Sequence, residues 1–138
     1  MKRPVYLTAA LLLLVGALVM TGCVSTADVI ARLEGTWKVV DKPSGDAWSP
    51  LAYVTFSDDG TEYQLLDHRK TMFERGSIQR LQSYGYYYRV VEYVPDPFYE
   101  GNLNYAGYTI SGDELTITFY ADSSKSRVFG TVVARKSP

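Results

Sequence analysis

The fold of this chain is indicated most clearly by Tyr53-Val-Thr-Phe-Ser-Asp-Asp-Gly-Thr-Glu-Tyr-Gln-Leu65. Apolar and polar residues alternate on both sides of its central Ser-Asp-Asp-Gly, a pattern typical of strands with one buried and one wet face. Asp and Gly supply the positive φ angles that a tight turn requires. The stretch therefore predicts a β-hairpin that buries Val54 and Phe56 on its first strand. On the second strand, Tyr63 and Leu65 lie opposite them.

Similar strand and turn signals continue to the end of the chain. A second hairpin is predicted where Ser111-Gly-Asp113 joins Tyr108-Thr-Ile110 to Leu115-Thr-Ile-Thr-Phe119. Turn signals recur at a spacing of roughly 8 to 12 residues, which is typical of an all-β sandwich or barrel. The predicted strands lie near residues 36–41, 51–57, 61–67, 71–79, 84–94, 103–110, 114–120 and 126–135.

The only helix predicted after the N-terminal segment covers residues 25–33. Ser25 or Thr26 provides its N-cap, and Asp28 lies in its first turn. The apolar residues of this helix share one face, which would close one end of a barrel. They are Val29, Ile30 and Leu33. Because a chain of this length builds one hydrophobic core and hardly two, we predict that residues 29–138 form a single domain.

The N-terminus has the order of regions that defines an export signal. Lys2 and Arg3 precede an apolar run from Leu7 to Met20, and small residues follow at Thr21 and Gly22. A transmembrane helix would need about 20 apolar residues, and this run is too short for a comfortable span. We therefore predict that residues 1–22 are a cleavable signal peptide.

Met20-Thr-Gly-Cys23 resembles the lipobox of bacterial lipoproteins. The resemblance implies cleavage after Gly22 and a diacylglyceryl group on the Cys23 thiol, so that residues 23–28 tether the domain to a membrane. Position 24 is Val rather than Asp, and in this respect the sequence resembles the sorting pattern of outer-membrane lipoproteins in diderm bacteria. Cys23 is also the only cysteine, which excludes an intramolecular disulfide. We expect a lipid-anchored protein of the cell envelope, with the membrane as a partner.

Composition and motifs argue against nucleic-acid binding and catalysis. Loss of Lys2 and Arg3 with the signal peptide leaves twelve basic against fifteen acidic residues, a formal charge of −3, which is no nucleic-acid footprint. The single histidine, His68, cannot build a catalytic triad or a multi-histidine metal site. Phosphate-loop, CxxC, HExxH and Gly-x-Ser-x-Gly motifs are missing from the sequence. We expect a non-enzymatic protein with no metal and no cofactor.

Leu33-Glu-Gly-Thr-Trp-Lys-Val-Val40 resembles the Gly-x-Trp opening of lipocalins and of bacterial lipocalin-like domains. The resemblance extends over most of residues 29–135 and implies an up-and-down antiparallel barrel of about eight strands. It places Gly35 and Trp37 at the barrel base. It also implies that a basic residue of the last strand packs over the tryptophan, with Arg135 as the first candidate and Arg127 as the substitute.

Tyrosine is concentrated in one segment, since eight of the twelve tyrosines lie between residues 84 and 108. Alternation along Tyr84-Gly-Tyr-Tyr-Tyr-Arg89 puts Tyr84, Tyr86 and Tyr88 on one face and Tyr87 and Arg89 on the other. If the first set faces inward, it lines a ligand pocket. The alternative is ordinary strand packing with an outer tyrosine ladder.

Two loops rich in Pro and Gly, residues 42–50 and 95–102, interrupt the strands. Trp48 in the first loop is either part of a lid over the open mouth or a plug folded back into it.

Two functions follow from this interpretation. The first is a carrier that binds a small hydrophobic or amphipathic molecule in a cavity walled by uncharged residues. The second is a structural or interaction lipoprotein with a solid barrel whose outer tyrosines and aromatic loops dock a protein or glycan. A third, weaker idea is an envelope enzyme inhibitor presented by a loop.

Overall fold

The computed structural model describes residues 24–95, 101, 103–122 and 124–138. The predicted signal peptide, Cys23 and most of the loop at 95–102 lie outside these residues. Helix α1 (Thr26–Leu33) is followed by strands β1 (Gly35–Asp41), β2 (Tyr53–Phe56), β3 (Glu62–Leu66), β4 (Met72–Leu81), β5 (Tyr86–Tyr93), β6 (Leu103–Ser111), β7 (Glu114–Tyr120) and β8 (Val128–Lys136). In the part of the chain that is described, no helix has the length and apolarity needed to cross a membrane.

The eight strands form one closed antiparallel barrel in chain order. Each strand pairs with its neighbour in sequence, and β8 pairs with β1 to close the barrel. The hairpin formed by β2 and β3 has the predicted register, with Val54 opposite Leu65 and Phe56 opposite Tyr63. The predicted all-β, up-and-down barrel of eight strands with a short N-terminal helix is therefore confirmed, and the sandwich alternative is wrong.

Helix α1 covers one end of the barrel, as its apolar face predicts. Ser25 and Asp28 form a reciprocal capping box, in which the Asp28 amide donates to the Ser25 hydroxyl at 3.2 Å. Val29 and Leu33 are buried against the barrel core. The predicted tether at 23–28 is shorter than expected, because residues 26–28 already belong to the helix. Within the predicted tether, Cys23 and Val24 precede the Ser25 cap.

Strands β5 and β8 both start two residues later than predicted, and local turn chemistry explains both differences. Tyr84 and Gly85 lie in the β4–β5 turn, where Gly85 has φ +94°, so β5 begins at Tyr86. Asp122 accepts hydrogen bonds from the Ser126 amide at 3.0 Å and hydroxyl at 2.6 Å. This turn keeps residues 124–127 out of the sheet, and β8 begins at Val128.

Large side chains fill the interior of the barrel. Eight strands enclose a space just wide enough for side chains to fill or for one small ligand. The largest fully buried side chains are those of Trp37, Tyr63, Tyr87, Leu33, Leu51, Leu115, Ile117, Val54 and Val132. Two of them lie outside the strands, Leu33 on α1 and Leu51 in the loop before β2, so the sheet alone does not build this core.

Candidate functional site

The base of the barrel is built around Trp37. Its indole Nε1 donates to the Leu33 carbonyl at 2.7 Å, which ties β1 to α1. Gly35 has φ +99°, a conformation that lets the chain turn from the helix into the strand. Gly35 and Trp37 therefore lie at the end of the barrel that α1 covers.

The cation over this tryptophan is Lys136, and the prediction of Arg135 is wrong. The Lys136 ammonium lies 4.5 Å from the Trp37 ring and also donates to the Glu34 carbonyl. Arg135 instead points outward and lies 3.6 Å from Glu114, with 60% of its side chain exposed. The reason is strand alternation, since Lys136 shares the inward parity of buried Ala134.

The tyrosines of β5 alternate as predicted, but the opposite set faces inward. Tyr87 is buried and Arg89 is nearly so, whereas Tyr84 is 69% exposed. Tyr86 and Tyr88 share its outer side of the sheet. An interior pocket lined by Tyr84, Tyr86 and Tyr88 is therefore wrong. These three tyrosines remain candidates for binding a partner on the outer surface of the barrel.

A charged cluster lies inside the barrel. Arg89 Nη1 contacts Glu74 Oε1, and the two side chains are 11% and 16% exposed. The Tyr63 hydroxyl donates to Glu74 Oε1 at 2.9 Å and accepts from Arg89 Nη1 at 3.1 Å. The guanidinium also lies 4.8 Å from the Phe119 ring. Arg89 Nε is buried and has no hydrogen-bond partner among the described residues. This buried polar centre is a feature that the tyrosine pattern in the sequence did not predict.

Burial raises the pKa of the Tyr63 hydroxyl far above its ordinary value near 10. The Glu74 carboxylate raises this pKa further, while Arg89 lowers it. Burial also raises the pKa of Tyr87. Both hydroxyls therefore stay protonated in the folded chain under conditions in which an exposed tyrosine ionises.

Alkaline pH should destabilise the barrel through these tyrosines. Below about pH 10 they are protonated in both states, so they add no pH dependence. Above that pH only the unfolded chain releases the protons, and stability falls by up to about 1.4 kcal/mol per pH unit for each group. Urea unfolding between pH 9 and 11 measures the slope. Tyr63→Phe should make the slope shallower, and an unchanged slope would contradict this assignment.

Trp48 closes the other end of the barrel. Its ring centroid lies 5.6 Å from that of Phe119 and 5.1 Å from that of Phe129. Lys42 fixes the loop by donating to the carbonyls of Ser49 at 2.8 Å and Leu51 at 2.7 Å. Trp48 thus packs at the mouth, and a cavity of only about 60 Å³ remains beneath it, bordered by Arg89 and Glu74 among others.

Gly130 makes room for this closure. A Cβ atom at Gly130 would lie 2.4 Å from the Trp48 ring and 2.8 Å from Pro43. Gly130→Ala should therefore displace the indole, increase acrylamide quenching of tryptophan fluorescence, and cost about 1–3 kcal/mol. Trp37 is 1% exposed, so a change in quenching reports on Trp48. Thr131→Ser, on the outer side of the same strand, should leave quenching unchanged. Equal quenching of both variants would exclude this role of Gly130.

The outer side of β5, β6 and β7 carries the second candidate surface. Five tyrosines surround a glycine there, and a lysine from the β7–β8 loop covers two of the rings. We call this surface the tyrosine face. It comprises Tyr84, Tyr86, Tyr88, Tyr105, Gly107, Tyr120 and Lys125.

The tyrosine face is ordered by ring and cation contacts. The Tyr88 and Tyr105 ring centroids lie 3.8 Å apart. Lys125 Nζ lies 3.8 Å from the Tyr86 ring centroid and 5.5 Å from that of Tyr105. Because Gly107 has no side chain, a notch of about 180 Å³ opens in this surface. Sequence reasoning found three of these tyrosines but had no signal for Gly107 or Lys125, which come from other strands and loops.

His68 and its acidic neighbour Asp67 lie in a turn of the chain. His68 is exposed in the β3–β4 turn. Its neighbour Asp67 accepts from the amides of Arg69 at 2.8 Å and Thr71 at 2.9 Å, which is a turn-stabilising role. Within the residues described, no group of three His, Cys, Asp or Glu side chains is placed to hold a metal ion.

Comparison with known proteins adds no assignment to this geometry. No protein-family model matches the chain, and no curated protein matches it.

Proposed function

We propose that this protein is a lipid-anchored, non-enzymatic interaction protein of the cell envelope, which binds its partner through the tyrosine face. The observation that carries the proposal is the contrast between the inside and the outside of the barrel. The cavity under Trp48 measures about 60 Å³, while five tyrosines are gathered on the outer surface. The barrel is a filled support for that surface.

The interior argues against a carrier of hydrophobic molecules. Ligand pockets usually measure about 300 to 1,000 Å³ and are mostly apolar. Here Arg89 and Glu74 border the cavity under Trp48, so the cavity has charged walls as well as a small volume. A hydrophobic ligand would need both a larger space and a displaced ion pair.

The outer surface has the composition of a recognition site. Tyrosine offers a large apolar ring with a polar tip and loses little conformational entropy on binding, which is why interfaces are enriched in it. Tyr84 is the most exposed member, and its ring lies 6.2 Å from that of Tyr86. These side chains can cover a partner without first rearranging.

The anchor would place this surface within reach of envelope partners. Cys23 precedes the Ser25 cap by two residues, at most roughly 7 Å of extended chain. A lipid on Cys23 would therefore hold the α1 end of the barrel against the membrane. The mouth under Trp48 would point away from the membrane, and the tyrosine face would run along the side of the barrel.

Photocrosslinking in living cells tests the proposal. A photoreactive phenylalanine analogue replaces Tyr84 in the full-length chain, and the matched control replaces Val40, which is 54% exposed on β1. We expect one discrete adduct from position 84 and none from position 40. The same adducts from both positions, or none from either, would contradict the proposal.

A small amphipathic anion in the mouth is the second candidate function. It is favoured by Arg89 Nε, a buried donor without a partner beside the space under Trp48. Titration of full-length protein with 1-anilinonaphthalene-8-sulfonate tests it. This candidate requires saturable binding that Gly130→Ala strengthens and Arg89→Met abolishes. Binding that does not respond to either substitution would exclude the mouth as the site.

A further inference from the structure

We propose that the tyrosine face binds an acidic polysaccharide, with a sugar ring on Tyr84 and an acidic group of the polymer at Lys125. This inference rests on the proposed function and names the chemical class of the partner. It is drawn from the shape of the notch, the chemistry of its walls and the charge at its edge.

The notch has room for one ring-sized group. Gly107 pairs with Tyr86 on β5 and with Thr118 on β7, so it lies in the middle of the outer surface. A Cβ atom at Gly107 would already touch the Tyr86 and Tyr120 rings at 3.4 and 3.5 Å. Any larger side chain would fill the notch, and only glycine leaves it open.

The walls offer the two kinds of contact that a pyranose requires. A sugar presents an apolar C–H face and a rim of hydroxyl groups, and tyrosine matches it with an apolar ring and a polar tip. The Tyr84 ring is 69% exposed at the notch, and Thr116 and Thr118 of β7 also line it. Tyr120, also on β7, adds a phenol to the lining of the notch.

The positive charges on the tyrosine face favour an acidic polymer as the partner. Lys125 is exposed and lies over the tyrosine rings, and Arg80 lies 5.8 Å from the Tyr88 ring. Neither cation is in a salt bridge within the described part of the chain. The walls of the notch contain no carboxylate. Since the chain without its first 22 residues is acidic, this cationic surface is a local feature that favours an anionic partner.

The backbone arrangement favours a polysaccharide over an acidic peptide. Extended peptides commonly bind by adding a strand to a free sheet edge. The barrel is closed, and the tyrosine face lies in the middle of its wall, so the backbone groups of β6 are already paired with β5 and β7. What remains for a ligand are rings, hydroxyls and cations, which a peptide backbone uses poorly.

Biolayer interferometry on the full-length protein in detergent tests the inference, with polygalacturonate as the probe. We expect salt-sensitive binding that Lys125→Gln and Tyr84→Ala each weaken about tenfold. The matched controls are Lys38→Gln, an exposed lysine on β1, and Tyr93→Ala, a tyrosine that is 42% exposed outside the tyrosine face. Both should bind polygalacturonate like the unmodified chain, and uncharged dextran should bind at least about tenfold more weakly.

Three results would overturn the inference: no binding of polygalacturonate, equal losses in the two lysine variants, or binding of polyglutamate as tight as that of polygalacturonate. The crosslinking experiment at position 84 separates this failure from failure of the proposed function. A protein adduct overturns the polysaccharide and keeps the interaction protein. An adduct that glycan-degrading enzymes shorten supports both, and the lack of any adduct overturns both.

Discussion

Glu74→Leu is expected to destabilise the barrel by about 3–5 kcal/mol, because it leaves Arg89 charged and buried without a counter-charge. The two side chains are 16% and 11% exposed, so water offers the guanidinium little compensation. The Tyr63 hydroxyl loses its acceptor in the same variant. Urea unfolding followed by circular dichroism at neutral pH measures the change.

The control for this prediction removes both charges at once. In Glu74→Leu with Arg89→Met, two apolar side chains of similar volume replace the pair, and most of the lost stability should return. If the double variant is as unstable as the sum of the two single ones, the coupling energy between Glu74 and Arg89 is zero, and the unpaired charge is not the cause of the loss. In that case the desolvation argument is wrong.

Trp37→Ala should have an effect of similar size, about 3–5 kcal/mol, because it empties the base of the barrel. Trp37 is 1% exposed, and its indole joins α1 to β1 through the Leu33 carbonyl. The substitution also removes the ring on which the Lys136 ammonium rests. Thermal and urea unfolding should both show the loss.

Two further variants test why Trp37 matters. Trp37→Phe keeps a ring but loses the indole hydrogen bond, so it should cost less than the alanine variant. Trp48→Ala should also cost less, since Trp48 lies at the mouth and is only partly buried. A Trp48 effect equal to that of Trp37 would show that the mouth and the base contribute alike.

The interior and the tyrosine face depend on one another through the register of β5. Tyr87 and Arg89 alternate with Tyr86 and Tyr88, so a slip of one residue would exchange the two sets. Inside, Tyr87 lies opposite the small Ala106, and outside, Tyr86 lies opposite Gly107. The buried ion pair thus helps to hold the tyrosines on the outer surface, where we propose that the partner binds.

Local patterns in the sequence were sufficient to predict the secondary structure. Alternation and the Asp-Asp-Gly turn predict the first hairpin, and Ser25 and Asp28 predict the start of the helix. These signals are readable because turn and cap chemistry involves residues close together in the chain. The closed eight-stranded barrel also agrees with the family resemblance from which it was expected.

Which face of a strand points inward is a different kind of question, and β5 shows why. Both of its faces carry tyrosine, so hydrophobicity does not distinguish them. The charge of Arg89 would predict that its face is exposed to solvent. The decision comes from Glu74 on β4, which offers the guanidinium a buried counter-charge. Because Glu74 lies on a different strand, no pattern within the sequence of β5 predicts that contact.

The helices and strands, their order and the alternation of side chains along each strand follow from the sequence alone, since these depend on neighbours within a few residues. Tertiary structure decided the rest: the inward face of β5, Lys136 rather than Arg135 over Trp37, and the notch at Gly107. Each of these depends on side chains that are distant in the chain and meet only when the barrel closes.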